Sequence, residues 1–199
     1  MNIPKPGKVV LVAGLYCAGK TTLIAEVLRR VGRLSYITTY TTREPRPNEK
    51  LNGTHEYEFV SQREYDRLCQ TPGWDHTQLR GVSYGSDAAK ISAEVAGGRS
   101  YIVVTTMYPD QIQTMRSKYF AETVLIFLDT DFEICQRRIM APGSGRSRSY
   151  LTDPAQSREQ ANVIRELADY VYSPAGPLEE DRVAFVAFIQ DILENRMQR

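Results

Sequence analysis

The sequence predicts an α/β protein in which a parallel sheet is flanked by helices, and three observations carry that prediction. The apolar run Val9 to Val12 leads through a glycine-bearing turn into Leu23, Ile24, Val27, Leu28 and Val31, which recur at helical spacing. Two further short runs rich in β-branched residues, Tyr101 to Thr105 and Thr123 to Leu128, are separated by a helix-like segment after Pro109. Strands of this kind, apolar throughout and alternating with helices, belong to buried parallel sheets. A chain of 199 residues buries one substantial core, so a single domain is expected.

The turn after the first strand reads Gly14-Leu15-Tyr16-Cys17-Ala18-Gly19-Lys20-Thr21-Thr22, and its Gly14, Gly19, Lys20 and Thr21 satisfy G-x-x-x-x-G-K-[ST] in the strand–loop–helix setting that this motif requires. A chance glycine-rich turn would need neither the helical run that follows nor the stop at Gly32. Glycines let backbone N–H groups turn inward around phosphate oxygens, and a helix N-terminus favours negative charge. The nine residues from Gly14 to Thr22 are therefore read as an ATP site in a P-loop NTPase-like fold. Lys20 pairs with the β- and γ-phosphates in this reading, and Thr21 offers its hydroxyl to Mg²⁺.

After the first helix, Leu34 to Tyr40 reads as extended and runs into a loop marked by Pro45, Pro47 and Asn52-Gly53. Glu56 to Val60 places Tyr57 and Phe59 on one face of a short strand, and Ser61 with Glu64 has capping-box spacing for a helix that stops before Pro72-Gly73. Trp74 to Leu79 and Val82 to Tyr84 form a strand pair joined through Arg80-Gly81, so residues 34–86 are expected to make a small, mainly β lobe. Asp87 caps a helix carrying Ile91 and Val95 that Gly97-Gly98 ends, and Asp131 caps another that runs through Met140. Residues 141–158, bearing Arg146, Arg148 and Arg158, read as a lid whose helix starts at Pro154 behind Asp153. Tyr170 to Tyr172 is a last short strand, and Phe185, Phe188, Ile189 and Ile192 form the apolar face of a closing helix. Residues 1–33, 87–140 and 159–199 make up the core.

Composition narrows the function. With 25 basic and 24 acidic residues the net charge is +1, so any cationic surface is local and a small substrate is expected rather than a nucleic acid polymer. Cys17, Cys69 and Cys135 are odd in number and scattered, which suits a reducing compartment and shows no metal-ligand spacing. No secretory apolar region opens the chain and no apolar run reaches membrane-spanning length, so a cytoplasmic location without a membrane partner is expected. Oligomeric state is not legible. His55 and His76 have no evident catalytic or metal partner, and Cys17 is either a small filler or a thiol at a helix N-terminus.

The block T-T-Y-T-T-R-E-P-R-P-N-E, then N-G-T-H-E-Y-E-F-V-S, then V-S-Y-G-S, in this order after the phosphate loop and before an arginine-bearing lid, resembles the guanylate kinase family over nearly the whole chain. The resemblance implies phosphorylation of GMP by ATP, with residues 34–86 as the NMP-binding lobe. It implies that Arg43 and Arg46, with Tyr57 and Tyr84, grip the GMP phosphate, since guanidinium forks bind phosphate bidentately and tyrosine hydroxyls fix its orientation. Glu49 matches a loop-ordering glutamate. Thr39 and Ser86 match hydroxyl positions near guanine, and Asp75 stands where the family has a glutamate accepting from guanine. Arg138, Arg146 and Arg158, chosen over Arg137 and Arg148, match cations that serve the transferring phosphoryl group. Val104 and Thr106 stand where active members carry Asp-x-Asp. Asp129, after the neighbouring strand, is either a replacement carboxylate or a capping or turn residue. Two other readings stay open at this level: a guanylate-kinase-like binding module impaired in catalysis, and a kinase for a different phosphorylated acceptor.

Overall fold

The architecture is arranged around β1 (Val9–Gly14), which is buried along its whole length. In the computed structural model, which describes residues 6–45, 56–79, 81–105, 109–116, 123–141 and 154–196, β1 pairs in parallel with β7 (Ser100–Val104) on one side and β8 (Thr123–Leu128) on the other. A strand covered on both edges and both faces has no solvent side, which is why its sequence shows no polar alternation. β2 (Leu34–Tyr36) adds beyond β7, and β9 (Tyr170–Tyr172) adds beyond β8, giving the order β2-β7-β1-β8-β9 with every pairing parallel.

Successive residues of β1 feed two separate cores, as the period of a strand demands. Val10 and Val12 pack with Leu23, Ile24 and Val27 of α1 (Lys20–Arg30) and with Phe185, Ile189 and Ile192 of α7 (Leu178–Leu193). Val9, Leu11 and Ala13 pack with Ile91 and Val95 of α3 (Ala88–Ala96), Ile112 of α4 (Pro109–Thr114), and Ala161 and Ile164 of α6 (Pro154–Leu167). The result is three layers, helices on both faces of the sheet, as the sequence predicts. The helix starts also follow the sequence. Ser61 Oγ accepts the Glu64 N–H at 3.2 Å to open α2 (Gln62–Leu68), Asp87 accepts the Lys90 N–H at 2.9 Å, and Asp131 accepts the Ile134 N–H at 3.1 Å to open α5 (Phe132–Met140).

A second sheet has the order β4-β3-β6-β5, made of β3 (Thr39–Thr41), β4 (Tyr57–Phe59), β5 (Trp74–Leu79) and β6 (Val82–Asp87). One expectation is corrected here. Leu34 to Tyr36, grouped by the sequence with the β lobe, belongs to the large sheet: Leu34 is buried in the α1–α7 core, and the Tyr36 hydroxyl accepts the Val104 N–H at 3.2 Å. Burial of Leu34 outweighs continuity with the next strand, and the small sheet begins at Thr39.

Directly paired residues share a face of a sheet. The register therefore puts Thr39, Thr41, Tyr57, Phe59, Asp75, Thr77, Tyr84 and Ser86 on one face, and Tyr40, Trp74, His76 and Gly85 on the other. On that second face Trp74 meets Tyr40 and Tyr65 edge-on, with ring centroids 5.1 and 6.5 Å away. Gly85 leaves room for this cluster: a Cβ there would lie 2.6 Å from Trp74 Nε1, 2.7 Å from the Asp75 carbonyl and 2.9 Å from the Tyr65 hydroxyl. Replacing Gly85 by alanine should thus cost about 1–3 kcal/mol by overpacking, read as a lower thermal midpoint. An unchanged midpoint would show that the aromatic cluster has slack.

Candidate active site

The phosphate loop leaves β1 at a residue with no space for a side chain. Gly14 has φ 152°, and a Cβ on it would lie 2.8 Å from the Leu128 carbonyl oxygen of the paired strand. The loop's own side chains divide by direction. Ala18 is buried and Leu15 packs against both cores, which anchors the loop, whereas Tyr16 is half exposed. Gly19, at φ 101°, is the N-cap of α1 and offers no side chain to the helix's first N–H groups, which leaves them to a ligand. The Lys20 ammonium donates to the Gly14 and Leu15 carbonyls, both at 2.8 Å, and so lies across the loop. Contacts also reach the loop from distant sequence. Thr130 Oγ1 donates to the Ala18 carbonyl at 2.9 Å, and Arg138 Nη1 donates to the Cys17 carbonyl at 3.0 Å.

Cys17 has φ 63°, a left-handed conformation unusual for a residue with a side chain. The second nearby thiol, Cys135 on α5, is buried behind Thr130, whose carbonyl accepts from it at 3.9 Å, and burial pushes its pKa up to about 11. It stays protonated at neutral pH and acts as packing.

On the small sheet, most of the GMP-site residues expected from the sequence converge. Thr39, Tyr57, Asp75, Tyr84 and Ser86 share one face, and Asp75 is the direct cross-strand partner of Ser86. Arg43, just beyond β3, lays its guanidinium over the rings of Tyr57 and Phe59, 4.6 and 5.1 Å from their centroids, and donates to the Glu44 carbonyl at 3.0 Å. Tyr84 stands 6.5 Å from Tyr57, edge to ring. Its strand is held from behind by the Tyr65 hydroxyl, which donates to the Tyr84 carbonyl at 2.6 Å and which burial pushes up to about 12 in pKa. A cation and two phenols thus gather on this face. Ser86 lies two residues along its strand from Tyr84, about 7 Å away, with Asp75 beside it on β5. Arg46, Glu49 and His55 lie outside the described residues, and His76 is on the opposite face.

The lid arginines divide. Arg138 sits beside the phosphate loop, as described. Arg158, on α6, pairs with Glu133 at 2.9 Å and stacks over Phe132 with 4.3 Å to the ring centroid, so it bridges α6 to α5. Arg146, Arg148 and Thr106 lie outside the described residues. Asp129 pairs with Arg165 at 3.1 Å, while the cap of α5 is Asp131, whose carboxyl is held below its usual range by the Ile134 N–H. Val104 packs against the α1–α7 core. Sequence reasoning missed Thr130, Tyr36 and Tyr65, because each acts through a hydrogen bond to a residue far along the chain.

The profile of the guanylate kinase family matches residues 6–175. The chain belongs to the guanylate kinase family. It is 29% identical to the guanylate kinase of Rubrobacter xylanophilus over 81% of this chain and 80% of that one. It is 27% identical to the guanylate kinase of Neisseria meningitidis serogroup A over 98% of this chain and the whole of that one. The crystal structure of guanylate kinase from Anaplasma phagocytophilum superposes with a TM-score of 0.68, 20% identity, and coverage of 96% of this chain and 88% of that one, which is a likeness of fold.

The strained loop residue gives a test within this family fold. Cys17→Gly keeps the carbonyl that Arg138 holds and removes the left-handed penalty, offset by glycine's greater chain entropy. It should raise unfolding stability in urea by up to about 1 kcal/mol, whereas Cys17→Val, branched at Cβ, should lower it. The reverse order would show that the Cys17 side chain, and not the backbone, sets the loop.

Proposed function

We propose that this chain transfers the γ-phosphoryl group of ATP to GMP, giving ADP and GDP. The observation that supports this most directly is that one guanylate-kinase-family chain carries two complementary anion-binding elements. One is a phosphate loop at the C-terminal end of a parallel sheet, and the other is a separate face bearing Arg43, Tyr57 and Tyr84 together with Asp75 and Ser86.

In this reading the loop from Gly14 to Thr22 receives the ATP phosphates, and Lys20 exchanges its carbonyl contacts for the β- and γ-oxygens. Arg43, Arg46, Tyr57 and Tyr84 hold the acceptor phosphate, Glu49 orders the loop that carries Arg46, and Thr39, Asp75 and Ser86 meet the base. The Asp75 carboxylate accepts from the ring and exocyclic N–H donors of guanine, a pair of donors that adenine's corresponding edge lacks. An oxygen of the GMP phosphate attacks the γ-phosphorus, the bond to the bridging β,γ-oxygen breaks, and ADP leaves with that electron pair. No enzyme nucleophile is required, so alignment and charge neutralisation carry the rate. Arg138, close to the loop, with Arg146 and Arg158, would serve the charge on the transferring group.

The Thr21 hydroxyl, a hard oxygen donor in the first turn of α1, fits Mg²⁺. Among the described residues no three Asp, Glu, His or Cys side chains form a metal cluster, which accords with a cation held mainly by nucleotide phosphates and water. When bound, Mg²⁺ supplies neutralisation of phosphate charge. Among those residues no helix is long and apolar enough to cross a membrane.

ADP formation from ATP and Mg²⁺, with GMP, dGMP, AMP, CMP, UMP and dTMP as separate acceptors, tests the reading. Selective turnover with GMP is expected, and Lys20→Ala should abolish it while leaving the far-ultraviolet circular dichroism unchanged. Turnover with another acceptor alone would overturn the substrate. ATP binding without turnover on any acceptor would favour a binding module. A second prediction concerns Arg43: its replacement by alanine should raise KM for GMP about tenfold or more, from loss of a charge-assisted phosphate contact, with KM for ATP unchanged. Equal effects on both substrates would remove Arg43 from the acceptor site.

A further inference from the structure

Threonines near helix starts usually satisfy their hydroxyl on backbone a few residues away. Thr130 does not. Its buried hydroxyl donates to the Ala18 carbonyl, 112 residues distant, while its own N–H donates to the Leu128 carbonyl at 3.1 Å and its carbonyl accepts the Cys135 thiol at 3.9 Å. The hydroxyl is thus mounted between the end of β8 and the start of α5, both parts of the core.

The bond's target is the peptide linking Ala18 to Gly19. In a trans peptide the C=O and N–H point in opposite directions, so a carbonyl drawn inward to Thr130 sends the Gly19 N–H outward, away from the interior. Gly19 has no Cβ and φ 101°, so little in its own conformation prevents this peptide from turning over. Turned over, it would present a carbonyl oxygen where an anion requires a donor. Gly19 is the N-cap of α1, the place where a phosphate meets backbone N–H groups.

We propose that Thr130 is a positioning residue for the ATP phosphates, holding the 18–19 peptide in its donor-outward orientation; this rests on the kinase reading above. Its effect falls on the phosphate-loop nucleotide and spares the acceptor bound on the other sheet.

The test is calorimetry of the parent, Thr130→Val and Thr130→Ser, with ATP plus Mg²⁺ and with GMP titrated separately, alongside thermal unfolding. Valine matches threonine in shape and leaves the buried Ala18 carbonyl without its donor, so ATP affinity should fall about tenfold while GMP affinity stays within about twofold. Thr130→Ser, which restores the hydroxyl, should bind ATP within about twofold of the parent. A lower melting midpoint in the valine variant is expected from the lost bond itself, so selectivity between nucleotides is the deciding readout. A valine variant that binds ATP like the parent, loses both nucleotides equally or fails to fold overturns the proposal, as does a serine variant that does not recover. A parent that binds no ATP overturns the kinase reading instead.

Discussion

The close approach of β1 and β8 at their C-terminal ends, where the Gly14 backbone lies against the Leu128 carbonyl, is the contact on which the chemistry of the molecule depends. Because no Cβ separates the two strands there, the chain leaving β8 passes directly beside the chain leaving β1. Thr130 and Arg138 then reach the carbonyls of Ala18 and Cys17. The phosphate loop is held from outside by these groups, and from within by Lys20 and the buried Ala18. A loop held at its carbonyls in this way leaves little ordering cost to the nucleotide binding proposed above.

The second sheet is built on a different principle. Among the described residues neither of the two large apolar cores includes its strands; Trp74, Tyr40 and Tyr65 pack on one face, and Tyr57, Phe59, Tyr84 and the Arg43 guanidinium pack on the other. The second of these faces also carries the polar side chains of Thr39, Asp75 and Ser86. Gly85 serves both sides: by lacking a side chain behind, it lets the aromatic cluster draw close to the strand that carries Tyr84 and Ser86 in front.

Much of this was legible because the signals are local. The glycine-lysine motif, the Ser61, Asp87 and Asp131 caps and the continuous apolar strands at 9, 101 and 123 all act within a few residues, and each element stands where its sequence places it. The strand alternation that put Tyr57 and Phe59 together was also readable, and their shared contact with Arg43 follows from it. What failed was membership. Leu34 to Tyr36 has the composition of either sheet, and only the burial of Leu34 between α1 and α7 assigns it to the larger. Asp129 likewise reads as a cap, a turn or a metal ligand; the structure pairs it with Arg165 and gives the cap of α5 to Asp131.

The sequence by itself determined the α/β class, the order of elements and the phosphate loop with Lys20, since these rest on backbone preferences and hydrogen bonds spanning one turn or one strand. Only the tertiary structure decided that Thr39, Tyr57, Asp75, Tyr84 and Ser86 share a face, that Arg138 lies at the loop while Arg158 binds α5, and that Thr130 holds Ala18. Those partnerships join residues tens to more than a hundred positions apart. Register and packing select them, and no short stretch of sequence encodes either.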